Sequence, residues 1–117
     1  MANDGMRAEV VRAQKIAELN DEFRAGRSSG RLFVTNGVIG HAGSGLNEVL
    51  QAVRTFGTFN EGNDPYGERD FGSLQWNGAL LFWKINYYDI DLQGGSPDPS
   101  DGDVTTRVLT VLLASEY

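Results

Sequence analysis

The sequence has no cysteine, and this absence excludes several kinds of site at once. Disulfide bonds, zinc–thiolate centres, iron–sulfur clusters and cysteine nucleophiles all require a thiol. A single histidine, His41, excludes a metal centre built from several imidazoles. No stretch approaches the roughly 18 consecutive apolar residues that cross a bilayer, and residues 1–12 contain no apolar signal-peptide core. We therefore expect a cytoplasmic protein that has no cofactor and does not bind a membrane.

The length and composition fit one small globular domain. The chain has 117 residues, of which 40% are hydrophobic and 22% are charged, as in ordinary folded proteins. Neither an internal repeat nor a linker divides it. We expect residues 1–6 to form a disordered tail and residues 7–117 to form a single domain.

The negative charge is concentrated in residues 61–103. The whole chain carries a net charge of −6. This segment has nine acids against two bases, Arg69 and Lys84, and so carries −7, which leaves +1 for the rest of the chain. Its acids are Glu61, Asp64, Glu68, Asp70, Asp89, Asp91, Asp98, Asp101 and Asp103. Such a field repels nucleic-acid phosphates and attracts a basic protein surface or a divalent cation. An equally simple interpretation is a solvated acidic face that keeps the protein soluble.

Three segments show the spacing of amphipathic helices, in which apolar residues recur every three or four positions. In residues 7–25 and 44–56 the pattern is regular, and a glycine follows each segment as a stop signal. Residues 104–117 are ambiguous, because their valines and threonines favour a strand. Their apolar spacing, preceded by the possible N-caps Asp101 and Asp103, nevertheless predicts a third helix.

The clearest local signal is Asn77-Gly78, because both residues tolerate the positive φ that a two-residue hairpin turn requires. Pairing across this turn places Leu74 opposite Leu81 and Gly72 opposite Trp83, so that the indole covers the glycine. The core-facing set of the hairpin is then Leu74, Trp76, Leu81, Trp83, Ile85 and Tyr87.

The segment between the first two helices predicts one more strand. The apolar run Leu32–Val34 reads as a buried strand within residues 31–35. Residues 36–45 hold four glycines and read as a connection. The expected architecture is therefore α+β: an antiparallel hairpin or sheet packed against two or three helices.

Five stretches of the sequence together resemble one bacterial family. They are residues 16–24 (IAELNDEFR), 63–72 (NDPYGERDFG), 82–89 (FWKINYYD), 95–99 (GSPDP) and 104–110 (VTTRVLT). As a set they are similar to a domain-of-unknown-function family numbered 3768, which is frequent in alphaproteobacteria and on plasmids. The resemblance implies a lineage associated with mobile elements and implies no particular activity.

The acidic segment suggests two classes of function. In the first, the nine carboxylates form a surface that binds the basic face of a protein, and the chain is a non-enzymatic inhibitor of a nucleic-acid-binding host defence effector, of the anti-CRISPR or anti-restriction type. In the second, the chain is a divalent-metal-binding protein or a metal-dependent hydrolase. Asp89 and Asp91 would share one side of an extended strand and would bind Mg²⁺ or Ca²⁺ together with Asp64, Glu68 or Asp70. Turn acids more commonly cap helices and turns.

Overall fold

A computed structural model describes residues 4–117 and contains three α-helices and four β-strands. The three residues at the start of the expected tail lie outside the described part. In chain order the elements are α1 (Asp4–Arg24), β1 (Arg31–Val34), α2 (Asn36–Ala42), α3 (Leu46–Arg54), β2 (Phe71–Trp76), β3 (Ala79–Tyr88) and β4 (Thr106–Leu113). None of the helices in residues 4–117 is long and apolar enough to cross a membrane.

The four strands form one mixed sheet in the order β1-β4-β3-β2. Strand β1 runs parallel to β4, whereas β4–β3 and β3–β2 are antiparallel. Buried residues of the helices, among them Phe23, Val38 and Val49, meet the sheet face that carries Trp83 and Val111. The expected α+β class is therefore confirmed, and the core lies between this face and the helices.

The hairpin between β2 and β3 has the register that its turn predicts. Asn77 and Gly78 have φ angles of 43° and 82°, the left-handed conformation that this turn requires. Leu74 pairs with Leu81, and Gly72 pairs with Trp83. A Cβ placed on Gly72 would lie 2.4 Å from Nε1 of the Trp83 side chain, so only glycine fits under the indole.

Trp83 is the centre of the core. Its side chain is fully buried, with 0% of its surface exposed. Phe56 and Phe59 meet its ring edge-on, with ring centroids 5.4 and 6.1 Å away. Because both phenylalanines belong to the segment between α3 and β2, the indole fixes this irregular segment against the sheet.

Strand β4 occupies the segment for which the apolar spacing predicted a third helix, and that prediction is wrong. The central position of β4 explains the error, because its side chains are buried on both faces of the sheet: Val108 and Leu112 on one, Leu109 and Val111 on the other. A strand buried on both sides reads as an almost continuous apolar run, which matches helical spacing by chance.

Residues 36–42 form helix α2, although their glycines predicted a connection. The Thr35 hydroxyl accepts a hydrogen bond from the Val38 amide (3.2 Å) and so caps the helix. Val38 and Ala42 bury one face of the helix. Burial of this short face and the cap outweigh the low helix propensity of glycine.

Two other predictions near the N-terminal part of the chain differ from the structure. The predicted disordered tail, residues 1–6, overlaps α1, because this helix already begins at Asp4. The run Leu32–Val34 is a strand, yet it is not buried: 45% of Leu32 and 57% of Phe33 are exposed, because β1 lies at the edge of the sheet.

The second face of the sheet is covered only in part. Tyr117 follows β4 and packs edge-on against Phe71 and Phe82, with ring centroids 6.2 and 5.5 Å away. The Lys84 ammonium lies 5.7 Å from the centroid of the same tyrosine ring. At β1 this face carries the exposed Phe33, and we refer to the second face as the open face.

Replacing Trp83 by alanine should lower the free energy of unfolding by about 3–5 kcal/mol, because it leaves a large cavity beneath Phe56 and Phe59. Urea unfolding measures the loss. Leu80→Ala, on the same strand but 41% exposed, is the matched control and should cost less than about 1 kcal/mol. Similar losses for the two variants would contradict the central position of Trp83.

Candidate functional site

All nine carboxylates of residues 61–103 lie in the two loops that connect to one end of the sheet. Strand β2 begins, β3 ends and β4 begins at this end, since β3 is antiparallel to both neighbours. Four of the acids belong to the loop before β2, and five belong to the loop between β3 and β4. We call this end, with loops 55–70 and 89–105, the acidic end.

Most of these carboxylates have no positive partner. Across residues 4–117, the one ion pair that involves the nine acids joins Asp98 to Arg12 on α1, with 3.3 Å between oxygen and nitrogen. Arg69, one of the two bases of the segment, pairs instead with Asp21 of α1 at 2.8 Å. The negative charge of the acidic end is therefore largely uncompensated, and Glu61, Asp91, Asp101 and Asp103 are exposed to solvent.

Four of the acids also hold the conformation of their own loops. One carboxylate oxygen of Asp64 accepts a hydrogen bond from the Arg69 amide, and Asp89 accepts one from the Gln93 amide. Asp98 and Asp101 accept bonds from amides two residues further along the chain. These are the turn-capping contacts that short acidic side chains commonly make. For Asp98, the bonds from Ser100 and then the ion pair with Arg12 lower the pKa of the carboxyl.

The predicted placement of Asp89 and Asp91 on one side of a strand is wrong. Strand β3 ends at Tyr88, and the next residues form a turn in which the Asp89 amide bonds to the Gly94 carbonyl (2.9 Å). Leu92 has a φ of 59°, so the chain reverses there. Within residues 4–117 no group of three or more histidine, aspartate or glutamate side chains is arranged to hold a metal ion.

Beneath the acidic end lies a buried polar network that connects α1 to the sheet. Asn20 is fully buried and donates through Nδ2 to the Tyr87 hydroxyl (2.9 Å) and to the Glu68 carbonyl (3.0 Å). The Tyr87 hydroxyl donates to Glu68 Oε1 at 2.8 Å. Arg107 of β4 donates through Nε to Asn20 Oδ1 at 2.6 Å and through Nη2 to the Pro99 carbonyl. The network thus joins both acidic loops to the same helix.

Arg24 forms a second buried polar contact, one helical turn further along α1. Its Nη1 donates to the carbonyls of Val53 (2.9 Å), Arg54 (3.3 Å) and Phe56 (2.8 Å), which lie at the C-terminal end of α3. The Val53 carbonyl also accepts a hydrogen bond from the Phe56 amide (3.3 Å), and a cation is favourable at this end of the helix dipole. The guanidinium also lies 4.8 Å from the centroid of the Trp83 ring.

Burial shifts the pKa of several groups in this region. It lowers the pKa of Arg24, although Asp21 opposes the shift, and it lowers the pKa of Arg107. Burial also raises the pKa of the Tyr87 hydroxyl. The pKa of the Asp70 carboxyl is raised, first by burial and then by the neighbouring charge of Glu68.

Sequence reasoning placed the acids in one segment but did not identify the network that supports them. Asn20 and Arg24 are four residues apart on the apolar stripe of α1, beside Ile16 and Phe23. Polar residues within an otherwise apolar stripe indicate such a network in the sequence, because a buried polar group needs a hydrogen-bond partner. One partner of Asn20, Arg107, lies in β4, which was predicted as a helix.

Arg24→Lys should lower the free energy of unfolding by about 2–4 kcal/mol. One ammonium group cannot reproduce the planar guanidinium that contacts three carbonyls and the Trp83 ring, so buried acceptors lose their donor. Chemical denaturation measures the change. Arg27→Lys, in the exposed loop after α1, is the control and should leave stability unchanged. A loss below about 1 kcal/mol for Arg24→Lys would contradict the structural role of this side chain.

Asp70→Asn should stabilise the protein at pH 7, and this gain should shrink as the pH falls toward 4. A raised pKa in the folded state means that ionisation of Asp70 opposes folding at pH values above that pKa, and that the opposition is lost on protonation. Unfolding midpoints of the variant and the wild type at several pH values measure the difference. Asp91→Asn, in the exposed turn after β3, controls for the loss of one negative charge. Equal gains for both variants would contradict the burial of Asp70.

Comparison with known proteins adds one finding to this geometry. A family model described as protein of unknown function (DUF3768) matches residues 34–116. No curated protein and no solved structure matches the chain. The matched residues include all four acids before β2, the hairpin, the five acids after β3 and the central strand β4. Because the match covers well over half of the sequence, the chain belongs to the DUF3768 family.

Proposed function

We propose that this protein is a non-enzymatic binding module whose acidic end engages the basic surface of another protein. The observation that carries the proposal is the collection of nine carboxylates in two adjacent loops, of which only Asp98 has an ion-pair partner within residues 4–117. Uncompensated charge of one sign, concentrated at one end of a molecule, attracts a surface of the opposite sign over long distances.

The polar groups beneath this end support a binding role over a catalytic one. Asn20, Tyr87 and Arg107 are engaged with one another or with the loops, and Arg24 is engaged with the end of α3. A side chain that already has protein partners serves to fix the loops in place. Rigid loops present their carboxylates in a constant arrangement, and this reduces the entropy lost on binding.

The partner that best suits such a surface is a protein that normally binds nucleic acid. Carboxylates distributed over a rigid surface occupy positions that the partner offers to phosphates, and so they compete with the nucleic acid. This is the action expected of a mobile-element inhibitor of a host defence effector, of the anti-CRISPR or anti-restriction type. By the same reasoning, the protein does not itself bind DNA or RNA through this end.

The experiment begins with capture of a partner from a bacterial lysate at about 0.1 M salt and elution at about 1 M, where electrostatic screening shortens from about 10 Å to 3 Å. The identified partner is then titrated with the wild type and with amide variants at exposed acids of the segment. Glu61→Gln, Asp91→Asn and Asp103→Asn should each raise the dissociation constant about two- to fivefold. The triple variant should show roughly the product of these effects, because separated sites act independently.

A matched control and a competition assay complete the test. Glu48→Gln removes an exposed acid of α3 outside the acidic segment and should leave binding unchanged. DNA or RNA bound to the partner should be displaced by the wild type and less effectively by the triple variant. Binding that does not respond to salt, or that is abolished by one amide change in a folded protein, would overturn the proposal.

A further inference from the structure

The outer side of β1 presents backbone groups that the sheet does not use. The Thr35 amide donates to the Val111 carbonyl of β4 at 3.1 Å. In a parallel pair, alternate residues direct both backbone groups to the same neighbour, so Arg31 and Phe33 also face β4. The N–H and C=O groups of Leu32 and Val34 therefore point away from the sheet.

This edge is also apolar on both of its faces. Leu32, 45% exposed, shares the helix-covered face with Leu109, and Phe33, 57% exposed, lies on the open face with Thr110. On the other edge strand, β2, the large hydrophobic side chains are only partly exposed. An uncovered edge that is apolar on both sides favours pairing with a further strand.

We propose that two copies of this chain pair antiparallel through β1 around a two-fold axis, which joins two four-stranded sheets into one sheet of eight strands. This inference does not depend on the proposed function. The outward groups set the register: Leu32 forms a hydrogen-bonded pair with the partner's Val34, and Phe33 lies opposite the partner's Phe33 across the axis. Four backbone hydrogen bonds close the interface.

The sequence of β1 is complementary to itself in this register. Leucine meets valine on the helix-covered face, and phenylalanine meets phenylalanine on the open face, so both exposed apolar groups are covered. Arg31 lies opposite the partner's Thr35. In each chain the Thr35 hydroxyl donates to Glu116 Oε1 at 2.8 Å. The Arg31 guanidinium of one chain therefore lies beside the Glu116 carboxylate of the other.

The arrangement also limits repulsion between two chains of net charge −6. Strand β1 begins at the acidic end, because it is parallel to β4. Antiparallel pairing of two β1 strands therefore directs the two acidic ends to opposite sides of the joined sheet. The charge closest to the axis is then Arg31, which is cationic and paired with an acid across the interface.

The oligomeric state over a concentration series tests the proposal directly. Sedimentation or light scattering should show a species of twice the 12.8 kDa chain mass that dissociates on dilution.

Leu32→Pro removes only an outward N–H and places a ring at the edge, so it should weaken the dimer at least about tenfold while β1 stays paired with β4. Phe33→Lys should act similarly, because two like charges meet at the axis. Leu80→Lys, an exposed site of the open face far from β1, should have no effect.

A cross-link tests the register, and the absence of native cysteine makes the result specific. In the proposed pairing the two Phe33 Cα atoms lie about 4.5 Å apart, at the short end of the disulfide range. Phe33→Cys should therefore give a covalent dimer on mild oxidation, whereas Leu80→Cys should give little.

Three results would overturn the proposal. The first is a monomeric wild type at all concentrations. The second is a dimer that Leu32→Pro and Phe33→Lys leave intact although both variants are folded by circular dichroism. The third is equal cross-linking of Phe33→Cys and Leu80→Cys. A chain that stays monomeric and pairs its β1 with an extended peptide of another protein is a case of the first result and also overturns the proposal.

Discussion

The buried guanidinium of Arg24 is the contact on which the packing of this protein depends. It joins α1 to the end of α3 through three carbonyls, and it lies against the indole of Trp83 in the sheet. Three elements, α1, α3 and β3, thus meet at one side chain. Removal of a buried cation is costly because each acceptor it leaves has already lost its water. Arg24 lies one helical turn from Asn20, so this contact and the network beneath the acidic end hold the same helix.

The local part of the fold could be predicted from the sequence, and the non-local part could not. The hairpin register followed from Asn77-Gly78, because the stereochemistry of two residues determines the turn. The helical pattern of α3 was equally local. Strand β4 was assigned wrongly because its environment is set by β1 and β3, which are distant in sequence. A pattern of apolar residues indicates how much of a segment is buried, but it does not distinguish a helix buried on one face from a strand buried on both faces.

The candidate site shows the same division. Counting charges located the acids in one segment, and the order of the strands then brought both loops to one end of the sheet. The predicted pairing of Asp89 and Asp91 failed because the strand stops at Tyr88 and the chain turns at once. The partners of Asn20 and Arg107 required knowledge of which strand lies under α1. The net charge of a segment can be counted from its sequence, whereas the partners in a hydrogen-bond network depend on which side chains the fold brings together.

The position of β4 has a consequence for synthesis of the protein on the ribosome. Strand β1 and the β2–β3 hairpin are both made before β4, yet in the sheet they are joined only through β4. Until translation has passed Leu113, one edge of β3 and the inner edge of β1 lack their partner, and the apolar face of the hairpin is incompletely covered. The nascent chain therefore exposes the unpaired β1 from early in synthesis and the unpaired edge of β3 while residues 89–113 are made, and chaperones that shield unpaired strands would recognise such edges.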